Sequence, residues 1–139
     1  MANPIIDNPL FERAPKVISP TAHAVIDYLV VAHYFVTAGA AWKNNKRAAI
    51  AAIANGAAVL GLSMFTDYWG DGRQPISFET HGKVDVVQGI AAAAAPVMLG
   101  FADEAVAGMF WGQAASEAAV LALTDFKAAD RDERRLAAA

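Results

Sequence analysis

The sequence predicts an all-α fold, a four-transmembrane-helix antiparallel bundle made of two tandem two-helix repeats. The first observation is composition: 56% of the 139 residues are hydrophobic and only 18% are charged, whereas soluble domains are close to half apolar and about a quarter charged. The second is a set of four long, alanine-rich apolar runs that lack the alternation typical of β-strands. The third is an internal repeat, in which the second half of the chain reproduces polar positions of the first.

The predicted elements follow in chain order. Prolines at positions 4, 9, 15 and 20 prevent a regular helix in the first 20 residues. Ser19 and Ser77 are expected to cap the helices that begin after them. Each apolar run reaches roughly 30 Å as a helix, the thickness of the hydrocarbon core of a bilayer. The runs span residues 23–42, 48–65, 84–101 and 105–123, and the short polar turns at 43–47 and 103–104 join them into hairpins.

The internal repeat has an offset of 58 residues. Its matched polar pairs are His23 with His81, Asp27 with Asp85, Thr66 with Thr124 and Asp67 with Asp125. Each unit therefore begins with His-x-x-x-Asp and ends with Thr-Asp. The predicted organisation is an irregular proline-rich segment at 1–20, a first two-helix repeat at 21–67, a loop at 68–80, a second two-helix repeat at 81–125 and a charged tail at 126–139.

Several of these motifs are shared with a known family. They are His23-x-x-x-Asp27-Tyr28, Thr66-Asp67-Tyr68, His81-x-x-x-Asp85 and the stretch from Ala95 to Phe101. With these motifs, residues 18–126 resemble the SPW-repeat family of small bacterial integral membrane proteins, whose Ser-Pro-Trp motif corresponds here to Ala95-Pro96-Val97. The resemblance implies two transmembrane helices per repeat and brings no established activity with it.

Basic residues are distributed unequally between the two sides of the predicted bundle. The side that carries both termini holds eight, at positions 13, 16, 73, 83, 127, 131, 134 and 135, and the other side holds three, at positions 43, 46 and 47. Loops rich in Lys and Arg stay on the cytoplasmic side. The sequence therefore predicts a multi-pass membrane protein with both termini in the cytoplasm, and the resemblance implies that the membrane is the bacterial inner membrane.

The repeated polar residues form the first candidate site. Positions i and i+4 share one face of a helix, so the two side chains of each His-x-x-x-Asp motif can point together. Because each repeat is a hairpin, the Thr-Asp ends return to the same side of the membrane. The candidate polar cluster or metal site consists of His23, Asp27, Asp67, His81, Asp85 and Asp125.

Two interpretations of this cluster remain open. Hydrogen bonds between histidine and aspartate can fix helix register, and histidines with carboxylates also hold metal ions in helix bundles. In both cases the carboxylates at the ends of the repeats need donors, because the helix dipole disfavours a negative charge there. We therefore expect His23 to approach Asp67 or Asp125, and His81 to approach the other.

Glu117 marks a second candidate site. It lies near the middle of the fourth predicted helix, with Gln113 one turn earlier, and a carboxylate at membrane depth usually faces the bundle interior, a partner or a cavity. Burial disfavours its charged form. His33 lies at a comparable depth, so we expect a His33–Glu117 contact. His33, Gln113 and Glu117 form a candidate intramembrane proton site, with a neutral hydrogen-bonded pair or a groove for another subunit as alternatives.

The chain lacks the sequence signatures of common enzymes. It contains no cysteine, Gly-rich phosphate loop, nucleophile elbow or zinc signature, and no residue is predicted to be catalytic. The predicted loops are too short to build a substrate domain. The sequence predicts a small, non-enzymatic integral membrane protein, a structural or accessory subunit of a membrane assembly. The alternatives are a metal-binding or proton-handling protein that uses the His/Asp residues, and a small oligomeric transporter.

Partners and cofactors follow from the same composition. The lipid bilayer is the expected environment, and a membrane protein or a second copy of the chain is the candidate partner. The sequence has no basic stripe of the kind that binds nucleic acid. The sequence does not require a cofactor. The one cofactor with which it is compatible is a divalent metal ion bound by the His/Asp residues.

Overall fold

The computed structural model describes residues 8–138, without the side chains of residues 10, 11, 129, 130, 132, 133 and 136. The chain is mostly helical, which confirms the all-α class. Its elements are α1 (Pro9–Arg13), α2 (Pro20–Ala41), α3 (Lys46–Met64), β1 (Thr66–Asp67), β2 (Ile76–Ser77), α4 (Phe78–Met98), α5 (Ala107–Leu123) and α6 (Ala128–Ala137).

Four long helices form two hairpins, α2 with α3 and α4 with α5, and further contacts join α3 to α4 and α2 to α5. Side-chain caps fix where three of these helices begin. The hydroxyl of Ser19 accepts from the Ala22 N–H at the start of α2, and that of Ser77 accepts from the Thr80 N–H at the start of α4, both at 3.2 Å. The predicted caps are therefore confirmed. Asn45 caps α3 in the same way.

The two repeats exchange equivalent backbone contacts. β1 at the end of the first repeat pairs in parallel with β2 at the start of the second, with Thr66 opposite Ile76. The start of the first repeat pairs with the end of the second through an isolated parallel bridge between Ile18 and Thr124. Both pairs obey the 58-residue offset found in the sequence. Each repeat therefore begins beside the end of the other, as a pseudo-twofold arrangement requires.

Small residues allow the first hairpin to pack closely. The buried core shared by the long helices contains Tyr34, Phe101 and Phe110 surrounded mainly by alanines, including Ala38, Ala41, Ala48, Ala49 and Ala52. A smaller buried cluster, formed by Ala24, Tyr68, Phe78, Val86, Leu121 and Phe126, lies at the end of the bundle where the two strands pair. The alanine-rich helices thus bring the backbones together, and the aromatic residues fill the remaining volume.

The outer surface of the bundle is apolar. The helices α2 and α3 are long and apolar enough to cross a membrane, judged by length and composition. Only 33% of the apolar stretch of α2 and 39% of that of α3 are buried within the fold. Large apolar side chains are exposed on all four long helices, among them Leu29, Ile50, Val87 and Trp111. Apolar exposure on this scale indicates a surface that contacts lipid or another protein.

Element boundaries differ from the prediction at two places. The helix α1 lies in the segment predicted to be irregular, because Pro9 occupies its first position, where a missing N–H costs nothing. The helix α4 begins at Phe78, inside the predicted loop, because Ser77 caps it there. The charged tail contains α6, in agreement with the helix that its alternation of charges and alanines predicts. Residues 1–7 of the predicted irregular segment lie outside the described residues.

Gly82 provides a test of the packing at the strand-paired end. A Cβ atom at this position would lie 2.6 Å from Cε1 of Phe126, whose ring is itself buried. Because the ring has no free space to enter, Gly82→Ala should lower the free energy of unfolding by about 1–3 kcal/mol, the usual cost of overpacking. The measurement is reversible unfolding of the purified protein in mixed micelles.

Gly61→Ala is the matched control, because no atom lies within 4 Å of a Cβ built there. It should be neutral or stabilising, since alanine favours a helix by up to about 1 kcal/mol over glycine. Equal effects of the two substitutions would contradict the close approach of α4 and Phe126.

Candidate functional site

Four repeated side chains meet in one buried group, which we call the His/Asp cluster: His23 and Asp27 of α2 with His81 and Asp85 of α4. Nε2 of His23 lies 3.4 Å from Oδ1 of Asp27 and 3.3 Å from Oδ2 of Asp85. Nε2 of His81 lies 3.2 Å from Oδ2 of Asp27 and 3.0 Å from Oδ2 of Asp85. Each carboxylate therefore lies between two imidazoles, and each imidazole between two carboxylates.

Two threonines orient the imidazole rings. Oγ1 of Thr124 lies 2.8 Å from Nδ1 of His23, and Oγ1 of Thr66 lies 2.7 Å from Nδ1 of His81. Each hydroxyl also donates to a helical carbonyl four residues earlier, at 2.7 Å. A hydroxyl has a single proton. In both pairs the imidazole Nδ1–H is therefore the donor and the threonine oxygen is the acceptor.

This arrangement determines which atoms face the carboxylates. With the proton of each neutral imidazole on Nδ1, the Nε2 atom presents a lone pair to two anionic oxygens, which also offer only lone pairs. Nε2 of His81 has no hydrogen-bond partner of acceptable geometry, although both carboxylates lie close to it. Nε2 of His23 lies at hydrogen-bonding geometry to Oδ2 of Asp85, at 3.3 Å, and makes that bond only when it carries a proton. The cluster therefore requires two positive charges at its centre, supplied either by two further protons or by a divalent cation.

Aromatic rings close the cluster from the side of the strands. Phe78 and Phe126 contact the ring of His23 edge-on, with centroid separations of 5.2 and 5.4 Å, and Tyr68 contacts His81 at 5.3 Å. They leave the imidazoles almost fully buried, with side-chain exposures of 1% for His23 and 0% for His81. A closed apolar wall strengthens the electrostatic interactions inside it.

The two halves of the cluster differ at one position. Tyr68 donates a hydrogen bond of 2.5 Å to Oδ2 of Asp27, whereas its repeat counterpart is Phe126, which has no hydroxyl for Asp85. Burial raises the pKa of the Tyr68 hydroxyl, and the charge of Asp27 raises it further. The phenol therefore keeps its proton and acts as a fixed donor to one carboxylate of the pair.

The carboxylates that end the repeats lie outside the cluster, so the expectation that His23 and His81 approach them is wrong. Asp67 accepts from the backbone N–H groups of Asp71 and Gly72, at 3.1 and 2.7 Å. Asp125 forms an ion pair with Arg131, whose hydrogen bond lowers the pKa of the Asp125 carboxyl.

The physical reason for this difference is strand geometry. Successive side chains of an extended segment point to opposite faces. In each Thr-Asp pair the threonine therefore faces the histidine and the aspartate faces away. The sequence already indicated that Thr66 and Thr124 could belong to the site, because these threonines are repeated at the same 58-residue offset as Asp67 and Asp125.

The second candidate site is arranged differently from the prediction. His33 does not contact Glu117 but donates from Nε2 to the carbonyl of Met109, at 3.2 Å. With the Gln88 amide nitrogen turned toward Glu117, it donates to the carboxylate oxygens at 2.7 and 2.8 Å. A similar position along the helix axis does not fix the direction in which a helical side chain points, and this difference in direction separates His33 from Glu117.

A partly open cavity of about 30 Å³, here called the internal cavity, lies between the two candidate sites. It is lined by His23, Ile26, Asp27, Val30, Val59, Asp85, Gln88, Gln113, Ser116, Glu117, Val120 and Leu121. The structure thus brings Gln113 and Glu117 of the predicted proton site to one wall of the cavity and part of the His/Asp cluster to another. Gln88 gave no sequence signal, because a neutral amide in an apolar run resembles an isolated polar residue of the core.

No protein-family profile, curated protein or solved structure matches this chain. The resemblance to the SPW-repeat family therefore stays a prediction that depends on the motifs alone.

The shared cluster predicts coupled effects of its two histidines. His23→Ala should leave buried carboxylates without a donor and lower the free energy of unfolding by about 1–3 kcal/mol. His81→Ala should act similarly, and the double variant should cost less than the sum, because both histidines contact the same two carboxylates. Unfolding is measured in mixed micelles with a chelator present.

His33→Ala is the control for these variants, because His33 is a partly exposed histidine of α2 outside the cluster. Its effect should stay within about 0.5 kcal/mol. Additive effects of the two cluster substitutions, or equal effects of His23→Ala and His33→Ala, would show that the cluster is not a unit.

Proposed function

We propose that the chain is a small integral membrane protein in which the His/Asp cluster binds one first-row divalent transition-metal ion. The observation that carries the proposal is the pair of imidazole Nε2 atoms turned toward two buried carboxylates. Two neutral imidazoles, two carboxylates and one divalent cation have no net charge. Metal binding thus balances the cluster without burying additional protons.

The distances support the proposal. Around a tetrahedral ion with bonds of about 2.0–2.1 Å, neighbouring ligand atoms are roughly 3.3 Å apart. The four N···O separations of the cluster, which include both oxygens of Asp27, lie between 3.0 and 3.4 Å. One ligand atom from each residue lies within 4.8 Å of all the others. The side chains are thus grouped around one point and would have to close inward by side-chain movement to bind an ion.

The residues around the ligands also support it. Histidines that bind metals usually donate their second ring N–H to a fixed acceptor, which sets the tautomer and orients the ring. Thr124 and Thr66 act in this way for His23 and His81, and Tyr68 holds one carboxylate. Imidazole ligands favour zinc, copper, iron or nickel over magnesium and calcium. An ion held by both repeats would cross-link α2 and α4 near the paired strands.

The competing interpretation is the structural role predicted from the sequence. Two imidazolium groups between two carboxylates would also have no net charge and would fix helix register. The two interpretations can be distinguished by measurement. If the cluster binds a metal ion when its imidazoles are protonated, the ion must displace those protons, and their release can be detected. The transporter alternative has no specific observation in its favour.

The membrane assignment in this proposal is supported by the exposed apolar side chains of the four long helices. We place all four helices across the bacterial inner membrane, with both termini on the cytoplasmic side, where eight of the eleven basic residues would lie. The His/Asp cluster would then lie near the cytoplasmic ends of the helices, and the 42–45 turn would face the periplasm.

Localisation can be tested with a chain that contains no cysteine of its own. The protein should remain in the membrane pellet after alkaline carbonate washing and leave it only with detergent. In intact cells, a membrane-impermeant maleimide should label Asn44→Cys, in the turn after α2, and leave Ala138→Cys unlabelled. Release into the carbonate supernatant would contradict the membrane assignment, and the opposite labelling pattern would contradict the orientation.

Metal binding can be tested with Zn²⁺ and the chelator-treated protein in micelles. Calorimetric titration should give one Zn²⁺ per chain. Comparison of buffers with different protonation enthalpies should show about two protons released per ion at a pH where both imidazoles are protonated. Excess Mg²⁺ should not compete. Zn²⁺ that binds without proton release, or that Mg²⁺ displaces, would contradict the proposed ligand set.

Matched variants of α4 identify the ligands. His81→Ala should abolish the Zn²⁺ signal and Asp85→Asn should weaken binding at least tenfold, with helix content unchanged. Glu79→Gln is the control, because Glu79 is a carboxylate of the same helix that pairs with Lys83 outside the cluster. If wild type binds no Zn²⁺, or if Glu79→Gln weakens binding as much as Asp85→Asn does, the metal site is wrong and the structural role is favoured.

A further inference from the structure

The internal cavity has the properties of a small hydrated space. Its volume of about 30 Å³ accommodates about two water molecules, at a minimum of about 10–15 Å³ each. Among its lining groups, Nε2 of Gln113 is buried and has no partner at hydrogen-bonding geometry among the described protein atoms, although its amide interacts with the Glu117 carboxyl group. A buried amide donor of this kind requires a well-placed acceptor. A water molecule in the cavity would supply one.

Glu117 borders a second space on the other side of its carboxyl group. A groove of about 240 Å³ lies between α4 and α5 and is lined by Val86, Gly89, Ile90, Ala93, Ala114, Glu117, Ala118 and Leu121. Several of these residues, including Ile90 and Ala118, are exposed on the outside of the bundle. The Glu117 side chain thus borders both the internal cavity and the groove on the outer surface.

Gly89 makes room for the carboxyl group in this wall. A Cβ atom at position 89 would lie 3.3 Å from Cδ and 3.4 Å from Oε1 of Glu117. This is closer than most side-chain contacts, so a residue larger than glycine would require the carboxyl group to shift by a few tenths of an ångström. The absence of a side chain at this position therefore leaves room for the carboxyl group of Glu117 where it lies.

The charges around Glu117 favour a bound proton. The titratable groups around it are His23, Asp27 and Tyr34 of α2 and His81 and Asp85 of α4, and α3 contributes Val59. No Lys or Arg among the described residues forms an ion pair with Glu117. The groups that face its carboxyl as donors are the neutral amides of Gln88 and Gln113. A half-buried carboxyl group without a cationic partner is more easily accommodated with its proton than without it.

We propose that Glu117 is a proton-binding residue that exchanges its proton with water in the internal cavity and presents its carboxyl group to the groove between α4 and α5. In this exchange the Glu117 O–H bond breaks, the proton passes to a cavity water, and the carboxylate later takes a proton back from that water. Gln88 and Gln113 act as positioning residues, one for the carboxyl group and one for the water. The proposal depends on the membrane location of the bundle and is independent of metal binding.

An apolar carbodiimide provides the test, because it enters grooves that face lipid or detergent and adds to protonated carboxyl groups. The proton and the carboxyl oxygen add across one C=N bond, and rearrangement gives a stable N-acylurea without loss of any atom. Purified protein in micelles is treated with dicyclohexylcarbodiimide, and the adduct is located by peptide mass mapping. Glu117 should be labelled, at a rate that falls as the pH rises, and Asp27 and Asp85 should remain unlabelled.

Two glycine variants test the geometry. Gly89→Ala should lower the labelling rate severalfold, because its Cβ displaces the carboxyl group. Gly112→Ala on α5 should leave the rate unchanged, because no atom lies within 4 Å of a Cβ built there. If wild-type Glu117 remains unlabelled, or if labelling is independent of pH, the proposal fails, even if the protein is found in the membrane. A soluble protein would instead be identified by the carbonate fractionation.

Deuterium exchange tests the connection to the cavity. Infrared spectra should contain a protonated-carboxyl band that is lost in Glu117→Gln and that shifts when the micelles are transferred to D₂O. Val59→Leu adds bulk to the opposite cavity wall and should slow this shift severalfold, while the carbodiimide rate stays as in wild type. Equal exchange rates in the two proteins would mean that protons reach Glu117 from the groove alone, and would overturn the cavity route.

Discussion

The burial of two carboxylates between two imidazoles is the constraint on which the strand-paired end of the bundle depends. Uncompensated charges at this depth would each cost several kcal/mol, so the surrounding structure must supply two positive charges and hold them in place. The threonine hydroxyls at the ends of the repeats are already committed to helical carbonyls and act only as acceptors toward Nδ1. This removes one of the two tautomers of each neutral imidazole and directs every Nε2 atom to the centre.

The same contacts join the two repeats. His23 of the first repeat binds Thr124 at the end of the second, and His81 of the second binds Thr66 at the end of the first. The strand pairing follows the same exchange, with Ile76 beside Thr66 and Ile18 beside Thr124. Neither repeat can complete its half of the cluster alone. The cluster therefore becomes ordered only when the two hairpins pack together. An ion bound to the cluster would stabilise the fold, and the fold would in turn hold the ligands of the ion in place.

The sequence predicted those parts of the site that depend on one helix at a time. The i, i+4 spacing and the 58-residue offset were sufficient to bring His23, Asp27, His81 and Asp85 together. The errors concern direction: Asp67 and Asp125 face away because an extended segment alternates its side chains, and His33 has the depth of Glu117 but a different rotation. Composition predicted a helical bundle with an apolar surface, but the start of α4 depended on one serine cap. Interactions between helices, such as Gln88 with Glu117, have no periodic signal and require the assembled fold.

Three departures from twofold symmetry, at Gln88, Gly89 and Glu117, lie together beside the internal cavity. The repeat partners of Gln88 and Glu117 are Val30 and Val59, and all four residues line the same space. The partner of Gly89 is Val31, a buried core residue of α2, so the first hairpin has neither the carboxyl group nor the gap that accommodates it. A symmetric duplication would place two apolar walls around the cavity or two polar ones. In the observed arrangement, polar residues extend from the His/Asp cluster on one side of the cavity. They belong to the second repeat and lead toward the groove between α4 and α5. Because packing would be satisfied by valine at these positions, as it is in the first repeat, a role in handling protons or water explains the polar wall better than stability does.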